Sequence, residues 1–244
     1  MRVCIGIVCI GQKYLQEFEA TFKPSVEQYA KKQGYALKIF TDFLDSEHKH
    51  PDCISFQKCL VPSMLKDYDC VIVMDADIYI HEYTPPIHVL LRDKIGIVNE
   101  VSQVSPEQYR ALGFASQPTE YYRLGGFALD TNAILNTGIM LCNPSLHADF
   151  LESVYHKYIE KAPNHPRRFH YEQACIGYEL QAQSMYSLLE NRWNYLYIYN
   201  KVLNLQYPTP YFVHFAGLGN RNVELARYLS IHRPKGFLRW GIQK

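Results

Sequence analysis

The sequence predicts an α/β fold in a single domain, with a mostly parallel sheet and helices on both faces. Three observations predict it. Residues 3–9 and 70–74 are continuously apolar rather than alternating, as strands covered on both faces must be. Strand-like and helix-like segments alternate through the first hundred residues. No internal repeat, low-complexity tract or linker divides the 244 residues, a length at which an α/β unit folds as one domain.

Each element follows from its own pattern. The run at 3–9 is broken by Gly11-Gln12, and 14–22 then shows helical spacing. Pro24 opens a second helical stretch that Gly34 ends. Residues 36–41 read as a strand, 42–52 as an irregular polar loop, and 55–65 as a helix interrupted near Pro62. Cys70–Met74 is a third buried strand, running into Asp75-Ala76-Asp77. From 100 to 131 periodicity fades, with Gly113, Pro118, Gly125 and Gly126 as breakers; a segment this long predicts a functional lid. Order returns at 134–142. Pro144-Ser145 then caps an amphipathic helix with Leu146, Phe150, Leu151, Val154, Tyr155 and Tyr158 on one face. A helix over 171–181, a Tyr-rich strand-like region over 186–202 and a short strand at 211–215 complete the chain before a basic tail.

Composition narrows the function classes. Hydrophobic residues at 48% against 20% charged exclude a disordered chain, and a net charge of +1 argues against a nucleic-acid binder. Seven cysteines, an odd number without a CxxC pair, predict neither a disulfide framework nor a zinc site, and point to a reducing, cytoplasmic setting. The opening MRVCIGIVCIG has too short an apolar run, and no A-x-A-like site after it, to read as a secretory leader. No stretch approaches the ~18 apolar residues of a membrane span. After Gly219, Arg221, Arg227, Arg233, Lys235, Arg239 and Lys244 face one acid, Glu224. The default for this tail is a solvated helix; a weak peripheral contact with anionic lipid or an anionic acceptor is the lesser reading.

The strongest chemical signal is VIVMDADIYI at 71–80. Asp75 and Asp77 lie two residues apart at the carboxyl end of a buried strand, so both carboxylates face one side of the sheet. Open α/β sheets bind ligands at that end. Two carboxylates there repel unless a hard cation lies between them, and Mg²⁺ or Mn²⁺ so held can bridge the oxygens of a diphosphate. A polar strand end feeding a turn is the plain alternative. His48-Lys49-His50, by contrast, lies in a polar loop without further ligands and reads as solvated.

Several ordered motifs add to this pair: IVCIGQKY at the first strand, Phe56-Gln57-Lys58, the DxD element itself, Leu135-Asn136-Thr137-Gly138-Ile139, Glu172-Gln173-Ala174, and Phe212-Val213-His214-Phe215-Ala216-Gly217. In that order they resemble a nucleotide-sugar-dependent glycosyltransferase of the GT-A type, nearest to glycosyltransferase family 8 and the related galactosyl and xylosyltransferases. The resemblance covers most of the chain. It implies a GT-A-like, Rossmann-type sheet, with 1–100 as a nucleotide-binding half, 101–218 as an acceptor-side half and 219–244 as the basic C-terminal tail. It implies Mn²⁺ or Mg²⁺, a UDP-sugar donor, a glycan, glycolipid or protein acceptor, and transfer with retention.

Residue by residue, the resemblance implies that Asp75, Asp77 and His214 hold the metal, Asp75 also touching the donor. Ile10, Gly11 and Tyr14 would line the nucleobase site. Asp42 lies near the base or caps the loop after it. Lys58 would direct positive charge at the donor phosphates, or is an ordinary helix lysine. Asn136, Thr137 and Gly138 would meet the sugar, Asn136 as both donor and acceptor, unless they are a plain strand-edge turn. Gly217 would let backbone approach the diphosphate. Gln173 would stabilise positive charge at the anomeric carbon, and Glu172, where the family has Asp, would contact hydroxyls or act as base; Glu-Gln in a first helical turn is also an ordinary dipole arrangement. Two alternatives stand beside this reading: a haloacid-dehalogenase-like phosphatase or phosphotransferase with Asp75 as nucleophile, and a nucleotide-sugar-binding protein that performs no transfer.

Overall fold

The structure is a computed structural model describing residues 1–112, 117–205 and 209–232. Its first strand, β1 (Val3–Val8), is followed by α1 (Gln12–Thr21) and α2 (Lys23–Gln33), with Pro24 in the first turn of α2, where its missing N–H is no loss. β2 (Ala36–Phe40) pairs in parallel with β1 on one side. A 3-10 stretch, Ser55–Leu60, runs into α3 (Val61–Met64), so the interruption expected at Pro62 is a change of helix type. β3 (Cys70–Met74) then lies parallel to β1 on its other side.

Beyond the acid pair come β4 (Ile78–Ile80), β5 (Ile95–Asn99), α4 (Pro106–Ala111), α5 (Pro118–Leu124), β6 (Leu135–Cys142), α6 (Pro144–Tyr158) and α7 (Phe169–Ala182). The described chain finishes with β7 (Tyr186–Leu189), β8 (Tyr195–Leu196), α8 (Tyr197–Leu203), β9 (Phe212–His214) and α9 (Arg221–His232). The six-stranded sheet has the order β2-β1-β3-β6-β5-β7. Only β6 opposes its neighbours, so the sheet is mostly parallel. A second sheet of three short strands, β4-β9-β8, was not foreseen.

Both faces of the main sheet are covered. Ile5, Ile7 and Ile72 pack in one cluster with Phe18 of α1, Val26 and Tyr29 of α2, and Phe22 at the joint between them. Their neighbours along the strands, Cys4, Val71 and Val73, pack in the other with Val61, Leu151, Val154 and Ile176. Each such large side chain contributes about 1.5–3 kcal/mol by leaving water. That two-sided demand is why the runs are continuously apolar. All seven cysteines are free and buried.

Three expectations change. Residues 186–202 are extended only at β7 and β8; from Tyr197 the chain is helical. Tertiary contacts override the β-propensity of the tyrosines: Tyr199 donates to the Glu100 carbonyl and Tyr197 packs on Phe215. In α6 the cap is Asn143, whose Oδ1 accepts from Ser145 N–H, and the buried stripe runs through His147 and Ala148 while Leu146 is exposed. The segment expected as a lid holds α4, with a Ser105–Gln108 capping box, and α5. Tyr109, Tyr121 and Tyr122 there form a small core with Ile134 and Ala174. Of the tail, Arg233, Lys235, Phe237, Arg239, Trp240 and Lys244 lie outside the described residues. Among the described residues, no helix is long and apolar enough to cross a membrane.

Candidate active site

The carboxyl ends of β1, β2, β3 and β5 meet the amino end of β6 along one edge of the main sheet. Asp75 follows β3 directly, and its N–H donates to the Gly138 carbonyl at 2.9 Å, carrying the pairing with β6 one step further. Asp77 precedes β4, and its carbonyl accepts from Phe215 N–H at 2.9 Å. His214 lies in the central strand of the small sheet, opposite Ile78 on one side and Leu196 on the other. The main sheet thus supplies one carboxylate, and the small sheet brings the other carboxylate and the imidazole to it.

One ligand atom each from Asp75, Asp77 and His214 lies within 4.8 Å of the others. His214 Nε2 is 3.1 Å from Asp77 Oδ1 and 3.7 Å from Asp75 Oδ2. Asp77 is 5% exposed, and its Oδ1 is buried without a hydrogen-bond partner. A buried carboxylate oxygen without a well-formed hydrogen bond, facing an imidazole nitrogen and beside a second carboxylate, fits a divalent cation. Burial opposes charge on both residues, but the Asp77–His214 attraction wins: Asp77 is held below the usual carboxylate range and His214 is raised.

Gly138 is required by the His214 ring. A Cβ there would fall 2.5 Å from Nδ1, so only glycine lets the imidazole lie against β6. The neighbour that makes a close approach at Gly138 is the His214 ring.

Lys58 is buried and points inward. Its Nζ is 2.5 Å from Asp75 Oδ1, 3.8 Å from Glu172 Oε2 and donates to the Thr137 carbonyl at 3.4 Å. Burial opposes its charge, yet Asp75 and Glu172 outweigh burial and its pKa is raised. Glu172 is 3% exposed, and its Oε1 has no hydrogen-bond partner. Burial pushes its carboxyl up to about 7, with Lys58 opposing and Asp75 adding to the shift.

Gln173, next along α7, donates from Nε2 to Glu100 Oε2 at 3.2 Å and to the Tyr121 hydroxyl at 3.1 Å. Asn136 donates to the same Glu100 oxygen at 2.8 Å, and Tyr109 to the other at 3.2 Å. Burial raises the Glu100 pKa against these hydrogen bonds. Ala174, where the resembled pattern has a carboxylate, is wholly buried in the small aromatic core, which has no room for a charge.

On the open side, Arg221 places Nε 3.2 Å from Asp77 Oδ2 and Nη1 3.0 Å from Glu17, and its guanidinium lies 5.5 Å from the Tyr14 ring centroid. Gly11, at φ 101, turns the chain from β1 into α1, the helix that carries Tyr14 and Glu17, with Ile10 half-buried before it. Asp42 is exposed just past β2, and Gly217 is exposed at φ 69 after β9. His48 is not simply solvated: it bridges Asp45 and Glu160 at 2.7 and 2.9 Å.

Sequence reasoning missed Glu100 and Asn194 and read Arg221 only as part of the tail. Glu100 had a usable signal, an acid at the end of the apolar run Ile95–Val98, the same pattern that marks Asp75. Asn194 had none.

No protein-family model matches the sequence, and neither does any curated protein. Solved structures do match its fold. A glycosyltransferase involved in glycosylation of the major capsid of PBCV-1 superposes with a TM-score of 0.60 at 15% identity, over 93% of this chain and 99% of that one. The galactosyltransferase LgtC, in complex with donor and acceptor sugar analogs, gives 0.58 at 12% identity, over 93% and 94%. The bifunctional glycosyltransferase WbbM gives 0.57 at 13%, over 90% of this chain and 46% of that one. The fold is therefore the GT-A type in a single domain, as the motif order implied.

Proposed function

We propose that the chain transfers a sugar from a nucleoside-diphosphate sugar, UDP being the nucleotide, to an acceptor hydroxyl, with Mn²⁺ or Mg²⁺ held by Asp75, Asp77 and His214. The observation that carries this reading is the acid pair and imidazole gathered at the ligand-binding edge, with Asp77 Oδ1 buried and without a hydrogen bond. The imidazole in the donor set favours Mn²⁺ over Mg²⁺, which prefers oxygen alone. When bound, a divalent cation supplies Lewis-acid neutralisation of the charge that gathers on the departing diphosphate.

The protein's own charges suit that role. Lys58 and Arg221 already balance Asp75 and Asp77, so an added dication leaves an excess of positive charge for a diphosphate to meet. Ile10, Gly11, Tyr14 and Asp42 would form the nucleoside side in the first half of the chain, and Gly217 the turn beside the phosphates. Asn136 and Thr137 are buried, so the sugar would meet them beside the half-buried Asp75 and Gln173.

The carboxylates argue for retention. A base that inverts must reach the acceptor hydroxyl. Glu172 is shut behind Lys58, and Glu100 is occupied by three donors. With these two carboxylates engaged, the acceptor oxygen would bond the anomeric carbon as the carbon–phosphate oxygen bond breaks. Its proton passes to the departing diphosphate on the same face. Gln173, its Nε2 turned to Glu100 and Tyr121, has its carbonyl oxygen available to steady positive charge at that carbon. The GT-A fold replaces the haloacid-dehalogenase alternative.

The test is release of free nucleotide from a panel of nucleotide sugars with Mn²⁺ and in chelator. Turnover should require the metal, and Asp77→Ala should lose it while remaining folded. Full activity in chelator overturns the reading; UDP binding with neither transfer nor donor hydrolysis supports the binding-protein alternative instead.

A further inference from the structure

A buried chain of hydrogen bonds leads away from His214, and its donor–acceptor sense can be followed from the far end. Gly138 N–H can only donate, and it donates to Asn136 Oδ1 at 3.0 Å. The other end of that amide, Nδ2, faces the Glu100 carboxylate, which accepts. With Asn136 Oδ1 fixed as an acceptor, the Asn194 atom 2.7 Å from it is Nδ2. Asn194 Oδ1 then faces His214 Nδ1 at 3.0 Å, so that ring nitrogen carries a hydrogen. In the neutral ring the nitrogen left without one is Nε2, the atom turned to Asp75 and Asp77. Asn194 is 0% exposed, so water cannot substitute for either of its partners.

We propose that Asn194 is a positioning residue of the cation site: its amide, oriented by Gly138 N–H through Asn136, holds His214 as the Nδ1–H tautomer and presents Nε2 as the ligand. The proposal rests on the cation reading of the site given above. Outer partners of this kind typically change metal affinity by roughly 10–100-fold when removed. Glu100 extends the same logic, since the oxygen that takes Asn136 also takes Gln173 and so fixes which end of that amide turns away.

Two measurements test it, and neither needs turnover. Long-range ¹H–¹⁵N correlation on metal-free protein, at a pH above the titration of the ring and assigned with His214→Gln, should show His214 protonated at Nδ1 and bare at Nε2. Asn194→Leu, which removes the acceptor at similar volume, should bind Mn²⁺ roughly 10–100-fold more weakly by the EPR signal of the free ion. It should also let the two tautomers mix. The failures can be told apart. Wild-type protein that binds no Mn²⁺ overturns both the proposed function and this inference. Wild-type binding with an Nε2–H ring, or undiminished binding by folded Asn194→Leu, overturns the inference alone. Should Asn194→Leu not fold, the wild-type tautomer decides.

Discussion

Glu172→Gln should make the metal-free protein more stable, and increasingly so as pH rises. The wild-type carboxyl sits at about 7 because burial disfavours its charge, against an ordinary 4.5 in the unfolded chain. Between those two values the folded chain keeps a proton that the unfolded chain has released, so wild-type stability falls with rising pH and levels off above about 7. At about 1.4 kcal/mol per pH unit the loss sums to about 3 kcal/mol. Glutamine has no proton to lose and keeps the shape. In a chain of this length, roughly 2–4 °C accompanies each kcal/mol, so the melting temperature of Glu172→Gln should gain roughly 6–12 °C on wild type across the window. The assay is thermal or urea unfolding of both proteins in chelator, from about pH 5 to about pH 8. A gap that stays constant with pH, or that widens toward acid, would refute the claim that this carboxyl is held protonated by burial behind Lys58.

The other predictions concern the same few atoms. Gly138→Ala drives a methyl into the His214 ring; it should cost about 1–3 kcal/mol and weaken Mn²⁺ binding, measured by unfolding and by EPR. Unchanged Mn²⁺ binding would show that the ring has room to move. Lys58→Met strands the Asp75 carboxylate without its cation and should cost about 3–5 kcal/mol by urea unfolding at about pH 6, where Glu172 keeps its proton. A loss under about 1 kcal/mol would mean that water, not Lys58, balances that charge.

The sequence was most legible where a single local pattern carried the information. Cys70–Met74 must be apolar on both faces, and it ends in two acids whose spacing matches the strand period, so strand, edge and acid pair could be read together. Pro24, Gly34 and Pro62 marked helix boundaries for the same local reason. The small sheet was not legible, because strands of two or three residues such as β8 and β4 are too short to show a period. Nor were the contacts around His214: Asn194 reaches the ring across 20 residues and is itself held by Asn136 across 58, and an isolated asparagine announces neither partner. The tyrosines at 197 and 199 misled for a related reason, since propensity favoured a strand and distant partners at Glu100 and Phe215 favoured a helix.

The most direct measurement is anomalous diffraction at the manganese edge from crystals soaked in Mn²⁺ and uridine diphosphate. A single peak within bonding distance of Asp75, Asp77 and His214 Nε2, with phosphate oxygens completing its shell, is the expected result. A soaked crystal with no manganese at this position, or with the ion held elsewhere and Asp77 still paired with Arg221, would contradict the account.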